Sequence, residues 1–209
     1  MAVQDVYDAV IGMNQGTIVS LVQKELDTGT DVQKILDDGL IAALDEVGQK
    51  FSRGDFFLPE MLRAANVMKK GLEIIKPLLT ETQAASAGTV VIGTVKGDLH
   101  DIGKDLVGMM LEGAGFKVID LGTDVAPEVF VRAAKENEAC VVGLSALLTT
   151  TMPAMRKTVA MLRTELGNIK TMIGGAPVTQ AFCEDIGANG YGEDAPAAVT
   201  LARKFIAGK

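Results

Sequence analysis

The chain has 209 residues, 48% hydrophobic and 4% aromatic with no tryptophan, and 27 acidic against 20 basic side chains leave a net charge of −7. That length suits one large domain or two small ones, and an aliphatic core of this extent folds without staples and excludes disorder. An acidic balance with no basic stripe on any predicted helix argues against nucleic acid as a partner. No apolar run approaches the roughly 18–20 residues of a membrane span and no signal-like segment opens the sequence, so a cytoplasmic protein away from membranes is expected. Cys140 falls in an apolar run and Cys183 in a helical one. Both read as small core residues of a reducing compartment.

To about residue 79 the apolar pattern has helical period. Val19, Leu21, Val22 and Leu26 mark one segment, and Ile35, Leu36, Leu40, Ala43, Leu44 and Val47 mark the next, with a start at Asp31. A longer segment opens at Pro59 and places Leu58, Met61, Leu62, Ala65, Met68, Leu72, Ile75 and Leu79 at helical spacing. These segments need one another's apolar faces and predict a small antiparallel bundle of about four helices. The small, polar stretch from Thr80 to Gly88 reads as a linker. It divides a helical bundle with its linker, 1–87, from a second domain, 88–209.

In that second domain strand and helix alternate. Strands are predicted at Thr89–Gly93, Lys117–Leu121, Val141–Leu144, Thr171–Ile173 and near Gly190-Tyr191. The helices are expected over Asp101–Gly113, from Ala126-Pro127-Glu128, through Met155 to Leu166, near Val178 to Ile186, and from Asp194. Five strands alternating with helices imply a doubly wound parallel sheet covered on both faces, so the chain as a whole is α + α/β.

The one histidine, His100, lies in the loop between the first of these strands and its helix. Asp98, two residues earlier, can accept a hydrogen bond from one imidazole nitrogen and leave the other for a metal. A polar loop that caps the helix at Asp101 is the other reading. In a flavodoxin-like winding, with strand order 2-1-3-4-5, ligands sit outside the carboxyl ends of the strands at the switch between strands one and three. That winding gathers on one rim the Asp98/His100 loop, Ser145 to Thr151, Gly174-Gly175-Ala176-Pro177 and Gly192-Glu193-Asp194-Ala195. Small residues leave room beside the backbone there, and hydroxyls offer hydrogen bonds to a polar ligand. Each piece also has a plain structural reading: a turn at Gly174-Gly175, a satisfied core hydroxyl at Ser145, a helix cap in the threonines. Thr123 to Pro127, after strand two, reads as an ordinary helix start. Flavin or phosphoacceptor chemistry fits less well, because the first loop lacks a Ser/Thr-rich phosphate cradle and strand three ends in Ser145 rather than in an aspartate.

Asp-x-His-x-x-Gly at Asp98, His100 and Gly103, Ser-x-Leu at Ser145 and Leu147, and the pair Gly174-Gly175, in that order and spacing, resemble the cobalamin-binding signature. The N-terminal half, through Phe56-Phe57-Leu58-Pro59-Glu60-Met61 and Ala64-Ala65-Asn66-Val67-Met68-Lys69, is similar to the helical cap of the same family. The resemblance covers nearly the whole chain. It points to the small corrinoid proteins of methyltransferase systems, the methyl carriers for methanol, methylated amines, betaines and methoxylated compounds, related to the cobalamin module of methionine synthase. It implies a four-helix bundle cap followed by a flavodoxin/Rossmann-like five-stranded sheet, with cobalamin, as methylcobalamin in the loaded carrier, for cofactor. His100 would be the lower axial ligand of cobalt in place of dimethylbenzimidazole, tuned by Asp98, and Thr151 falls where methionine synthase has a serine in the same network. The implied cofactor contacts are Gly97, Asp98, Leu99, His100, Asp101, Ile102 and Gly103, then Ser145, Leu147 and Thr149, then Gly174, Gly175 and Ala195. The displaced base would lie in a slot beside Ser145, Leu147 and the glycine pair.

The same resemblance implies a protein that is not catalytically complete alone. Its partners would be a substrate-specific methyltransferase, a second methyltransferase that passes the methyl group to a pterin or thiol acceptor, and a corrinoid reductive activator. Phe57, Met61 and Met68 are candidates to shield the upper face of the cofactor, although their spacing equally suits the bundle core. A cobalamin-responsive sensor and the cobalamin-binding subunit of a carbon-skeleton mutase are the alternatives. The sensor would want a basic helix-turn-helix segment before the cap, and the mutase subunit would lack the bundle.

Overall fold

A computed structural model describes residues 3–78 and 87–208 and divides the chain into two compact units, Met1–Ser86 with Gly113–Gly115, and Ala87–Glu112 with Phe116–Lys209. Leu79 and most of the expected linker, residues 80–86, lie outside the described residues.

The helical unit holds α1 (Val3–Ile11), α2 (Ile18–Asp27), α3 (Val32–Lys34), a π-helical segment (Ile35–Ile41) that leads into α4 (Ala42–Ser52), and α5 (Leu58–Ile75), with a 3-10 turn at Lys76–Leu78. Asp31 caps α3 by accepting the Lys34 N–H at 3.1 Å. Pro59 stands in the first turn of α5, where its missing N–H has no helical partner to lose, and Glu60 reaches back to accept the Phe57 N–H at 3.1 Å. The segment expected as one regular helix around Ile35–Val47 thus begins with a wide turn. Apolar spacing alone does not separate α from π over so short a span, because both keep Ile35, Leu36 and Leu40 on the buried side. Close helix contact uses Gly71 of α5, where a Cβ would come within 2.9 Å of Leu40 and 3.3 Å of Ile18.

In the sheet unit β1 (Thr89–Thr94), β2 (Lys117–Asp120), β3 (Val141–Ser145), β4 (Lys170–Gly174) and β5 (Gly190–Tyr191) are all parallel, in the order β2-β1-β3-β4-β5. The helices α6 (Ile102–Gly113), α7 (Pro127–Glu136), α8 (Met152–Leu166), α9 (Gln180–Ile186) and α10 (Ala195–Ala207) alternate with them. β1, β3 and β4 are buried along nearly their whole length, whereas β2 exposes both its end residues. That difference explains why the central strands read as unbroken apolar runs, since a parallel strand covered on both faces has no solvent side to alternate with. One face carries Val91, Val142, Leu144 and Ile173 against Phe130 of α7, Met155, Val159 and Leu162 of α8, and Cys183 and Ile186 of α9. Phe130 is fully buried, an interaction worth about 2–3 kcal/mol. Its ring lies over Gly93, where a Cβ would approach to 2.7 Å.

The chain leaves β1 for β2 on one side and returns past β1 to β3 on the other. The loops after β1 and β3 therefore diverge and leave a crevice at the carboxyl ends of the strands. Gly175, just beyond β4, has φ +122° and packs so close that a Cβ would fall 1.8 Å from the Ala146 carbonyl oxygen. Gly175→Ala is expected to lower stability by about 3 kcal/mol or more through this clash and the strained φ, read as a shift in the guanidinium unfolding midpoint.

Candidate functional site

The site begins with the turn after β1. Gly97 takes φ +87°, a conformation open to glycine at no steric cost, and the chain turns there so that the Asp98 side chain points inward while His100 faces out. Asp98 is fully buried. Its Oδ1 accepts the His100 imidazole at Nδ1 (2.7 Å) and the His100 backbone N–H (3.1 Å). Its Oδ2 accepts the backbone N–H of Leu147 (2.7 Å) and Leu148 (3.2 Å) and the Thr151 hydroxyl (2.8 Å). Burial alone would push this carboxyl up, but the hydrogen bonds from His100, Leu147 and Thr151 outweigh it and hold the group well below the ordinary carboxylate range.

An ionised Asp98 at Nδ1 fixes the tautomer of His100. The proton sits on Nδ1, and the Nε2 lone pair of the neutral ring is left for a ligand. The imidazole is half exposed, and Thr94, itself buried, donates its hydroxyl to the His100 carbonyl at 2.8 Å. Thr151 is buried and its hydroxyl is 2.8 Å from both Asp98 Oδ2 and the Leu148 carbonyl, so its one proton is shared between two acceptors. It is the N-cap residue of α8 but makes no capping bond with its side chain. The helix-cap reading of this threonine therefore gives way to a role beneath the histidine.

Around the imidazole the rim is apolar. Leu99 and Ile102 are 72% and 65% exposed, and Leu147 and Leu148 are also open to solvent. Asp101 and Gly103 are exposed, and the Asp101 carbonyl accepts the Asp105 N–H at the start of α6. Ser145 is half-buried, its backbone carbonyl accepts the Val95 N–H, and among the described residues its hydroxyl has no hydrogen-bond partner. Thr149 is exposed at the start of a short 3-10 turn, Thr149–Thr151. Gly174 and Gly175 bring the β4 loop against the backbone at Gly192 and Ala146, and Ala195 is buried at the start of α10. Protein packing alone thus requires the glycine pair. In the helical unit Met61 and Met68 are buried, as a core role requires, while Phe57 is 65% exposed.

Two residues outside the sequence reading also belong to this rim. Asp124, in the supposedly ordinary helix start after β2, accepts the Gly97 N–H at 2.7 Å and pairs with Lys96 at 2.9 Å. Lys104 is buried between Asp105 and Asp120, and although burial would lower its pKa, the two carboxylates outweigh it and hold the amine above the ordinary lysine range. Neither left a distinctive mark in the sequence, where Lys104 stands between Gly103 and Asp105 as an exposed helical lysine would.

Among the described residues no three His, Cys, Asp or Glu side chains gather as a metal cage. The donor offered here is one oriented imidazole nitrogen amid apolar side chains, which suits a metal that brings a flat ring of nitrogen ligands with it. The B12 binding domain family model matches residues 88–200, and a second B12 binding domain model matches residues 2–76. The chain belongs to the B12-binding corrinoid proteins. It is 44% identical to dimethylamine corrinoid protein 1 of Methanosarcina acetivorans, over 98% of this chain and 97% of that one. To trimethylamine corrinoid protein 1 of the same organism it is 43% identical, over 95% and 94%. Among solved structures, the methanol:cobalamin methyltransferase complex MtaBC from Methanosarcina barkeri matches all of this chain and 80% of that one, at TM-score 0.87 and 32% identity. A cobalamin-binding protein from Desulfitobacterium hafniense DCB-2 matches 97% of this chain and 98% of its own, at TM-score 0.82 and 30% identity. No helix among the described residues is long and apolar enough to cross a membrane.

The corrinoid protein is expected to depend on Asp98 even without cofactor. A carboxyl held below its unfolded pKa of about 4 contributes stability that is complete above that pH and is lost as the pH falls through the folded value. Thermal melts of the cofactor-free protein between pH 2 and 7 are expected to show this acid slope, and Asp98→Asn is expected to remove much of it. The same substitution turns an amide NH2 toward donors and is expected to lower stability at pH 7 by about 3 kcal/mol.

Proposed function

We propose that this chain is a methyl carrier. It binds cobalamin with the dimethylbenzimidazole displaced and His100 in its place, and serves a substrate-specific methyltransferase and a second methyltransferase with a pterin or thiol acceptor. The observation that carries the reading is the half-exposed His100 imidazole with its Nδ1 on the buried Asp98. When bound, the cofactor supplies the cobalt centre that accepts and gives up the methyl group.

The protein's own residues set the terms of ligation. Asp98 accepts the Nδ1 proton's hydrogen bond and so orients the ring, and Nε2 is the atom that would hold the cobalt of the bound cofactor. The same carboxylate would hold the ring in place by its Nδ1 bond whether or not Nε2 is engaged by the cofactor. Thr151 draws on the same carboxylate and so moderates how much of its charge reaches the histidine. Leu99, Ile102 and Leu147 offer apolar contact to the ring of the cofactor, Gly97 and Gly103 add no side chain in its way, and the exposed Asp101 offers a carboxylate beside them. Ser145 and Thr149 offer hydroxyls to its polar tail beside Gly174, Gly175 and Ala195. The helical bundle within 1–87 is the cap and 88–209 the cobalamin domain.

The dimethylamine and trimethylamine corrinoid relatives support a methylamine as the methyl source. The likeness to a chain of a methyltransferase complex supports a methyltransferase as partner, with a reductive activator to restore the carrier after oxidation. Free Cys140 and Cys183 agree with a cytoplasmic location.

The test is the absorption spectrum of the full chain, labelled with nitrogen-15 histidine, after incubation with hydroxocobalamin and desalting, its electron paramagnetic resonance spectrum after one-electron reduction to Co(II), and its absorption spectrum after further reduction to Co(I) and addition of methyl iodide. Retained corrinoid with nitrogen splitting from one histidine, convertible to a methylated form, is the expected result; a colourless protein refutes the reading. His100→Ala is expected to keep some corrinoid and lose the histidine splitting, and an unchanged spectrum would overturn the ligand assignment. Thr151→Val, which keeps the shape and removes the hydroxyl, is expected to shift the histidine-on population about fivefold without abolishing it.

A further inference from the structure

The loop that carries Asp98 and His100 is gripped from two sides. The β3 loop and Thr151 hold the Asp98 carboxylate, and within β1 and its loop Val95 and Thr94 hold the Asp98 N–H and the His100 carbonyl, whereas on the β2 side one residue, Asp124, holds the main chain. The Asp124 backbone N–H donates to the Asp98 carbonyl at 2.9 Å, its Oδ1 accepts the Gly97 N–H at 2.7 Å, and its Oδ2 pairs with Lys96 at 2.9 Å. Three successive residues of the histidine loop are thus bound to one residue of another strand's loop. A left-handed backbone at Asp124, φ +56°, turns its N–H and its carboxylate toward the same loop. Aspartate is among the few side chains that adopt this region readily. Lys96 and the Gly97 N–H hold the Asp124 carboxyl below its ordinary range.

We propose that Asp124 is a positioning residue for His100, acting through the Gly97 and Asp98 main chain to set where the imidazole Nε2 points. The inference rests on the proposed function for its consequence, but the geometry it concerns exists in the cofactor-free chain. Gly97 is the pivot of the turn, and its left-handed φ is one of several that glycine adopts freely. Without the Asp124 carboxylate, the Gly97 N–H loses its tie to the β2 side, while the Asp98 carbonyl keeps the backbone N–H of residue 124 and the Asp98 carboxylate stays fixed on the β3 side. His100 then shifts with the peptide between them. Removing the direct hydrogen-bond partner of a metal-binding histidine, here Asp98, changes affinity by about 10–100-fold, and Asp124, one step behind it, is placed at the lower end of that range. The Lys96 pair contributes little, because both its side chains are largely solvent-exposed.

Three variants separate these contributions. Asp124→Gly keeps the left-handed turn and removes the acceptor; Asp124→Asn keeps an acceptor oxygen and the turn but loses the charge; Lys96→Met removes only the ion pair. Because the chain has one histidine, the imidazole nitrogen signals of the cofactor-free protein report this ring alone. Asp124→Gly is expected to weaken the Nδ1–H bond to Asp98, seen as an upfield shift of that proton, and to move the Gly97 amide upfield with faster exchange. In the cobalamin-loaded protein it is expected to shift the histidine-on population about tenfold. Asp124→Asn and Lys96→Met are expected to stay within about twofold of the parent. An Asp124→Gly protein with the parent's imidazole signals and the parent's histidine-on population overturns the inference. A parent that takes up no corrinoid refutes the proposed function instead, and the imidazole signals of the cofactor-free variants still decide the role of Asp124.

Discussion

A carboxylate removed from water is among the least favourable groups a protein core contains, and in this chain the arrangement of the strand ends follows from satisfying one. Asp98 receives five donors, from its own loop, from the two peptides after β3 and from Thr151. Each donor alone is worth little more than the water it replaces; together they keep the group charged where burial favours neutrality. The histidine is one of those donors. Its orientation is therefore not a separate feature added to the rim but part of the solution to burying a charge, and a ring turned away from Asp98 leaves that charge under-satisfied.

The consequence runs outward to the sheet. Parallel pairing of Thr94 with Ser145 places the β1 and β3 loops side by side at one height, so that the Leu147 and Leu148 peptides reach the carboxylate. The β1–β3 register thus fixes a separation on which the imidazole depends. β4 completes the arrangement by bringing Gly175 against Ala146, which closes the β3 loop from behind. Rigid strands set the distances and short loops carry the chemistry, a division expected of a site whose reacting centre belongs to its cofactor.

Much of this was legible in the residues. Unbroken apolar runs gave the central strands, the alternation with amphipathic segments gave the parallel order, and a lone histidine after β1 marked the rim. Asp98 was readable because its partner stands two residues away. What escaped the sequence shares one property: it depends on contacts between loops distant along the chain. Asp124 looks like any aspartate before a helix, and its left-handed φ leaves no mark in composition. Thr94 falls just past the strand predicted at Thr89–Gly93, and nothing in the sequence marks it as a donor to the His100 carbonyl. The wide turn at Ile35–Ile41 is hidden for the opposite reason, since it preserves the apolar spacing that a regular helix would also show. Gly174-Gly175 was visible as a pair, but the Ala146 carbonyl that requires a glycine at Gly175 was not.

The margins of the sheet carry a different implication. β5 is two residues long, and β2 begins at exposed Lys117 and ends at exposed Asp120. One border is too short to serve as a template for an added strand, and the other is flanked by charges that would be stranded inside a continuous ladder. Another chain meeting this unit finds no main-chain edge to pair with. Recognition is left to side chains on helices and loops, where a few substitutions can change the partner without disturbing the sheet that holds the site.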